Sequence, residues 1–142
     1  MEDPVIREAG QDEEFASWFD DLLRVEGLET GEPVAVDDHW LVLTDEIGDW
    51  IGGLRYNLRG GVAHMLAIMV HPARRHQGYA HRLLQAFERH AVDEGAHVME
   101  FWASDPTSEG LLAAVGWAIV VERENYIGGR TWHLLEKRLG TS

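Results

Sequence analysis

The hydrophobic residues of this chain recur with helical spacing in some segments and with strand spacing in others. Apolar residues three and four apart mark one face over residues 12–27 and another over residues 79–94, which predicts two amphipathic helices. Acidic residues at the start of the first segment suit the N-terminus of a helix, and Gly27 is expected to end it. Asp105 followed by Pro106 indicates the N-cap and first residue of a third, shorter helix.

Six further segments have the apolar or alternating patterns of β-strands, and glycine-containing turns separate several of them. They are residues 40–44, 50–57, 62–70, 97–103, 117–124 and 131–137. The order of helix, three strands, helix, strand, helix and two strands predicts an α/β fold, with a mostly antiparallel mixed sheet of about six to seven strands flanked by helices. No repeat or linker interrupts the sequence, so we expect a single domain over residues 1–142.

The segment 62–70 is apolar on both faces of its predicted strand. Strict alternation would place Val62, Leu66, Ile68 and Val70 on one face, and Ala63, Met65, Ala67 and Met69 on the other. A strand that is apolar on both faces is typical of the middle of a sheet that is covered on both sides.

The charge of the chain is negative and unevenly distributed. The 142 residues carry a formal net charge of −13, and 16 of the 25 acidic residues fall within residues 1–49. A nucleic-acid-binding protein would present a basic face, so no nucleic-acid partner is expected. The acidic half is either a solvated surface or a region that steers a cationic substrate. The chain has no cysteine, no membrane-length apolar run and no apolar signal segment, so we expect a cytoplasmic protein without a membrane or metal partner.

The residues between the strand 62–70 and the second long helix have the pattern of an anion-binding loop. Pro72 ends the strand pairing, because proline has no N–H to donate. Gly78 allows the backbone to turn tightly and to approach a ligand closely. The amides of Arg75 to Ala80 would then point out of the helix start, where unpaired N–H groups and the helix dipole favour an anion such as a diphosphate. The other interpretation is an ordinary loop with surface arginines.

The motif Val70-x-Pro72-x-x-Arg75-x-x-Gly78-x-Ala80, followed by Leu83-Leu84, resembles the acetyl-CoA signature of the GNAT (Gcn5-related N-acetyltransferase) superfamily. The segment from Asp105 to Gly116-Trp117 resembles the later strand–helix motif of the same family, and the likeness covers roughly residues 50–139. It implies a single acetyltransferase domain with splayed central strands and with acetyl-CoA as cofactor. The positions that it assigns to coenzyme A are Ile68, Met69, Val70, Arg75, His76, Gln77, Gly78, Tyr79, Ala80, His81, Asp105 and Ser108.

The sequence identifies the catalytic residues less closely than it identifies the residues of the cofactor loop. The family often has a tyrosine four residues before the glycine of its later motif, as a proton donor to the leaving thiolate, and Leu112 occupies that position here. Tyr126 is a candidate to replace it. His64 and Glu100 are candidates for the general base that takes the amine proton, because histidine titrates near neutral pH and Glu100 interrupts an apolar run. The alternatives are a core histidine for His64, and an exposed sheet face or a structural ion pair for Glu100.

The resemblance implies an N-acyltransferase that moves an acetyl group from acetyl-CoA to a primary amine of a small molecule or peptide within a ternary complex. The acidic N-terminal half favours a cationic acceptor, and the family likeness suggests a homodimer. A second hypothesis is an acyl-CoA-binding sensor or scaffold with little or no turnover, which the loss of the tyrosine at Leu112 favours. A third is a structural partner domain with a decayed site, which would not bind coenzyme A.

Overall fold

The computed structural model describes residues 4–31 and 35–140, which belong to two compact units, Met1–Ala35 and Val36–Ser142. The first unit contains helix α1 (Glu13–Thr30), whose first turn is capped by the Asp12 side chain accepting the N–H of Phe15 at 3.0 Å. The prediction that Gly27 ends this helix is wrong. The helix continues to Thr30 and is capped by Gly31, whose left-handed φ of 77° accompanies a hydrogen bond from its N–H to the Gly27 carbonyl.

The second unit is built on a sheet of six strands. They are β1 (Asp37–Thr44), β2 (Trp50–Arg59), β3 (Val62–Val70), β4 (Val98–Ala103), β5 (Ala118–Arg123) and β6 (Trp132–Arg138). Their order across the sheet is β1-β2-β3-β4-β6-β5, and every neighbouring pair is antiparallel except β3 and β4. This arrangement confirms the predicted α/β fold with a mostly antiparallel mixed sheet.

Two helices of the second unit pack on the same face of this sheet. They are α2 (Tyr79–Asp93) and α3 (Pro106–Ala113), and short 3-10 turns lie at Pro72–Arg74 and Ile127–Gly129. The helices and strands share one apolar core, and burial of a large apolar side chain there contributes about 1.5–3 kcal/mol. Its largest fully buried side chains are Leu54, Tyr56, Met65, Phe87, Met99, Leu112 and Leu135.

A β-bulge in β3 changes which side chains face this core. Met65 is opposite Tyr56 and Ala67 is opposite Arg55, so Leu66 is the extra residue. As a result, Ala63 and Met65 before the bulge, and Ile68 and Val70 after it, all pack into or against the core. The predicted grouping of Leu66 with Ile68 and Val70 is therefore wrong, because strict alternation does not survive an inserted residue.

Within the second unit, the helices do not cover the opposite face of the sheet. Among the described residues of the second unit, α2 and α3 lie only on the core face, and Met69 on the other face keeps 62% of its surface exposed. Strand β3 does lie in the middle of the sheet, between β2 and β4. Apolarity on both faces therefore predicted the central position of β3 correctly, whereas the helices of the second unit cover only one of its faces.

A polar contact is built into the core where β2 meets the end of α2. The hydroxyl of Tyr56 donates to Glu94 Oε1 at 3.1 Å, and the Tyr56 ring stacks on His39 with centroids 4.8 Å apart. His39 Nε2 lies 3.0 Å from Glu94 Oε2, although the ring is not oriented for a hydrogen bond. Burial, with a further contribution from Glu94, raises the pKa of Tyr56 to about 12. The phenol is therefore a neutral donor at physiological pH.

Candidate active site

Strands β3 and β4 pair at one end and then separate. Their register runs only from Val62 opposite Val98 to His64 opposite Glu100, whereas β3 continues to Val70 and β4 to Ala103. This divergence confirms the predicted splay of the central strands. On the side of β4, the backbone of residues 65–70 has no partner strand in the described sheet.

A cavity of about 420 Å³ lies beside the end of β3, which has separated from β4 at this point. Its walls come from the end of β3, the loop before α2, the first turn of α2 and the first turns of α3. The lining residues are Ile68, Met69, Val70, Arg74, Arg75, His76, Gly78, Tyr79, Ala80, His81, Thr107, Ser108 and Leu111. We call this space the cofactor cavity.

The start of α2 opens into the cofactor cavity with its amides available. Gly78 is the N-cap in a left-handed conformation with φ 81°, and no side chain caps this helix. By contrast, an aspartate caps both α1 and α3. The first main-chain hydrogen bond of α2 is from Arg82 N–H to the Gly78 carbonyl, so the amides of Tyr79 to His81 precede it. These N–H groups and the helix dipole favour an anionic ligand.

The charges that line the cofactor cavity are suited to a polyanion. Arg74, Arg75, His76 and His81 all contribute to its wall, and no acidic side chain is among the lining residues that the structure describes. Arg75 Nε donates to the Val70 carbonyl at 3.1 Å, which fixes the loop to the end of β3. The residues present therefore fit a diphosphate bound at the α2 start with an extended arm beside β3.

Most residues that the sequence assigned to coenzyme A line this one cavity. Two do not: Gln77 is exposed in the loop, and Asp105 caps α3 by accepting the Ser108 N–H at 2.9 Å. The structure adds Arg74, Thr107 and Leu111 to the lining. Leu111 lies one helical turn after Ser108, so helical spacing could have predicted that Leu111 lines the same site.

The two candidate bases form a pair at the point where β3 and β4 separate. His64 Nδ1 lies 3.6 Å from Glu100 Oε2, and both side chains are about one quarter exposed, at 28% and 26%. Both project from the face opposite the core, because the neighbouring Ala63 and Met99 are core residues. A proton acceptor at this point is therefore accessible from the face that carries no helix of the second unit.

Leu112 and Tyr126 occupy different environments. Leu112, which stands where the resemblance leads one to expect a tyrosine, is 1% exposed in the core and has no group that can donate a proton. The Tyr126 ring lies 5.5 Å from the Trp102 ring, and the Arg123 guanidinium lies 5.0 Å from the centroid of Tyr126. Tyr126 is not among the residues that line the cofactor cavity, so its role as a proton donor stays a prediction.

Helix α3 is attached to the sheet by a histidine that the sequence analysis did not identify. His133 on β6 contacts Glu109 of α3 through Nδ1 and lies 3.0 Å from Glu122 Oε1 of β5 through Nε2. The hydrogen bonds to Glu109 and then to Glu122 raise the pKa of His133 above its usual value. Because α3 supplies Thr107, Ser108 and Leu111, this contact positions one wall of the cofactor cavity.

Two further cavities adjoin the cofactor cavity. One, of about 580 Å³, lies on the β1–β3 part of the sheet, is lined mainly by apolar residues including Trp40, Trp50 and Met69, and shares Met69 and Val70 with the cofactor cavity. The other, of about 630 Å³, is more polar and lies beside the β1–β2 turn and the first turn of α2. Ligands in either space would lie next to the cofactor cavity.

Within residues 4–31 and 35–140, no group of three or more histidine, aspartate or glutamate side chains is arranged to hold a metal ion. None of the helices in these ranges combines the length and the apolar character that crossing a membrane requires.

A family model described as the acetyltransferase (GNAT) family matches residues 4–118. None of the curated proteins compared with the chain matches it in sequence.

Solved structures resemble the whole fold. A candidate acetyltransferase from Agrobacterium tumefaciens is 21% identical, with a TM-score of 0.76 over 96% of this chain and 99% of its own. An acetyltransferase from Bacillus cereus is 18% identical, with a TM-score of 0.75 over 94% and 98% of the two chains. An aminoglycoside 6′-N-acetyltransferase complexed with coenzyme A is 14% identical, with a TM-score of 0.66 over 96% and 97%. At these identities the likeness concerns the fold.

Proposed function

The chain belongs to the GNAT acetyltransferase family, and we propose on that premise that it transfers an acetyl group from acetyl-CoA to a primary amine of a small molecule or peptide. The observation that carries the proposal is the uncapped start of α2 at Gly78, which opens into the cofactor cavity beside the end of β3. The reaction would take place in a ternary complex, because β3 borders cavities on both sides at Met69 and Val70.

The chain's own residues would hold acetyl-CoA along the cofactor cavity. The amides from Arg75 to Ala80 would bind the diphosphate, and the unpaired backbone of β3 near Ile68 and Val70 would bind the amide groups of the pantetheine arm. Ser108 would lie along the opposite wall. Acetyl-CoA, when bound, supplies a thioester whose carbonyl carbon is open to attack by a neutral amine.

His64 is the residue that we propose as general base. An amine with a pKa of about 10.4 costs about 4.6 kcal/mol to deprotonate at pH 7, so a nearby acceptor lowers the barrier. Glu100 lies beside Nδ1 and would favour the tautomer that carries its proton there. Nε2 then keeps the lone pair that accepts the amine proton, directly or through a water.

The amine acceptor would enter from the face that carries His64 and Glu100. On that side, the cavity that contains Trp40 and Trp50 adjoins the cofactor cavity, and these rings are 69% and 82% exposed. Aromatic faces bind both apolar groups and cations, which is compatible with the cationic amine that the acidic sequence favours. A homodimer also remains part of the proposal.

A second candidate function is an acyl-CoA-binding sensor with little turnover. The observation that favours it is Leu112, an apolar and fully buried residue at the position of the family's proton donor. This sensor would bind acetyl-CoA in the same cavity, and it would not release free thiol in the presence of any amine.

The first test is a calorimetric titration with acetyl-CoA of the wild-type chain and two glycine variants. Gly78→Ala is expected to weaken binding about tenfold or more, because a side chain at the helix start both strains the left-handed backbone and projects toward the phosphates. Gly95→Ala is the matched control. It has a similar φ of 84° and open surroundings, but it follows the C-terminal end of α2.

Three results are distinguishable. Weaker binding by Gly78→Ala alone supports the cofactor site, whereas equal binding by both variants, or no saturable binding by the wild type, rules it out.

Thiol release is then measured with a panel of amines. Loss of a base typically lowers the rate by about 10²–10⁴-fold, so His64→Ala should lower kcat on this scale without changing acetyl-CoA affinity. Saturable binding without thiol release from any amine would support the sensor.

A further inference from the structure

The first three strands form a trough on the face of the sheet opposite the core. Gly53 lies at its centre, opposite Val42 of β1 on one side and Met69 of β3 on the other. Because Gly53 has no side chain, the floor of the trough is open, and the cavity of about 580 Å³ occupies this space. The lining is mainly apolar and includes Trp50. We call this space the acceptor trough, and its lining suits a small apolar group.

Arg55 gives the acceptor trough a positive charge that no lining residue balances. The recorded contact of its guanidinium, within the described part of the chain, is with the ring of Trp40, whose centroid is 5.0 Å away. No aspartate or glutamate is among the described lining residues. Asp38 precedes Trp40 by two residues on β1, but none of the ion pairs among the described residues joins it to Arg55. The N–H donors of Arg55 are therefore suited to an anionic group of a ligand, such as a carboxylate.

Arg55 also lies near His64, the proposed base. Its neighbours Leu54 and Tyr56 are core residues, so Arg55 projects from the face that carries His64. Asn57 is opposite His64 in the register, and Arg55 precedes Asn57 by two residues. Diagonal neighbours of this kind are about 7–8 Å apart. A carboxylate bound by Arg55 would therefore hold an amine of the same small molecule within reach of His64.

An apolar α-amino acid has the chemistry that this arrangement selects. Its carboxylate and its amine are attached to one carbon, which matches the closeness of Arg55 to His64. Its side chain would fill the acceptor trough between Val42 and Met69. A polyamine would instead place a second positive charge beside Arg55, where no lining carboxylate offsets the repulsion. The structure thus favours an acceptor whose one positive charge is the reacting amine.

We infer that the acceptor is an apolar α-amino acid and that Arg55 binds its carboxylate. This inference rests on the proposed function, because it assumes acetyl transfer to an amine at His64. In the transfer, the amine nitrogen bonds to the acetyl carbon as the C–S bond breaks. The amine proton passes to His64, and the leaving thiolate takes up a proton from water. Arg55 determines which amines bind and takes no part in these bond changes.

The test compares amino acids with the amines that lack only their carboxylate, namely phenylalanine with phenethylamine and leucine with isoamylamine. The value of kcat/KM for thiol release is measured for the wild type, Arg55→Gln and Arg59→Gln. The wild type should prefer the amino acid of each pair. Arg55→Gln should lose about tenfold with the amino acids, as expected for a charge-assisted hydrogen bond, and nothing with the amines. Arg59→Gln is the matched control, because Arg59 is an exposed arginine of the same strand outside the trough.

A binding measurement gives a second readout that does not depend on turnover. Isothermal titration in the presence of coenzyme A compares the two products N-acetylphenylalanine and N-acetylphenethylamine. The wild type and Arg59→Gln should bind the carboxylated product more tightly, and Arg55→Gln should bind the two products equally.

Each other outcome overturns the inference. Equal losses for amino acid and amine would show that Arg55 shapes the trough without binding a carboxylate, and unchanged kinetics would remove it from the site. Equal rates of the wild type within each pair, or turnover confined to amines without a carboxylate, would overturn it while leaving the proposed function intact. If acetyl-CoA does not bind, or if no amine releases thiol, the proposed function fails as well.

Discussion

Replacing Tyr56 by phenylalanine removes a single hydroxyl from the core of the second unit. The ring contacts with Phe87 and His39, both at 4.8 Å between centroids, would remain. The lost bond is the one from the Tyr56 hydroxyl to Glu94. A hydrogen bond to a charged acceptor contributes about 1.5–3 kcal/mol, and the Glu94 side chain is 30% exposed and can be partly rehydrated. We therefore expect the free energy of unfolding to fall by about 1–2 kcal/mol at pH 8.

The same substitution should matter less at high pH. The pKa of Tyr56 is raised from 10.0 to about 12, so the folded state holds the phenolic proton more tightly than the unfolded chain does. The resulting stability is complete below pH 10 and is lost as the pH rises through 12. At 1.36 kcal/mol per unit of pKa difference, roughly 1.4 kcal/mol is lost by pH 11. The gap between wild type and Tyr56→Phe should then be close to zero.

The assay is urea unfolding of the wild type, Tyr56→Phe and Tyr126→Phe at pH 8 and at pH 11. Other groups that titrate in this range act equally on all three proteins, so the difference between variants isolates Tyr56. Tyr126 is 37% exposed, and its variant should follow the wild type at both pH values. A gap of the same size at pH 8 and pH 11, or no gap at pH 8, would refute the reasoning.

Three further substitutions test other contacts. His133→Gln should flatten the pH dependence of the unfolding midpoint. Because the pKa of His133 is raised in the folded state, its stabilisation is complete below the usual histidine pKa and is lost as the pH rises through the raised value. Thermal melts from pH 5 to pH 9 should therefore converge for variant and wild type at the alkaline end. Asp105→Ala should lower the free energy of unfolding in urea by about 0.5–2 kcal/mol, because it removes the α3 cap; an unchanged urea midpoint would contradict this. Lys137→Met should cost about 1–2 kcal/mol in the same assay, since Nζ lies 2.7 Å from Glu88 and donates to the Val115 carbonyl at 3.1 Å; Arg138→Met, at an exposed ion pair, should cost less.

The sequence predicted those elements whose ends carry a chemical signal. Strand β3 runs from Val62 to Val70 as predicted, because the turn at Gly60 and Gly61 precedes it and Pro72 follows it closely. The bulge at Leu66 was not predictable, since every residue of this strand except His64 is apolar and the pattern therefore does not show which side chains share a face beyond His64. The end of α1 was misplaced because two glycines four residues apart, Gly27 and Gly31, both satisfy the pattern of a helix end.

Some parts of the candidate site could likewise be predicted from the sequence, and others could not. The cofactor cavity depends mainly on a continuous segment from Ile68 to His81, so a local motif identified most of its lining. His133 contacts Glu109, which is 24 residues away in the sequence, and Glu122, which is 11 residues away. These contacts join β6 to α3 and β5, and they can be recognised only when the strand order is known. The pairing of His64 with Glu100 depends on the parallel register of β3 and β4, which a single sequence does not specify.

The separation of β3 from β4 also has a consequence for the behaviour of the protein in solution. It creates a strand edge inside the sheet, where the peptide groups of residues 65–70 face an opening rather than a neighbouring strand. Such an edge is a template for β-pairing with another polypeptide, and the apolar side chains of Ile68, Val70 and Leu111 lie beside this one. The ligand that covers the edge in the proposed complex would therefore also protect the chain from self-association. Protein prepared without coenzyme A should aggregate more readily than protein kept saturated with it.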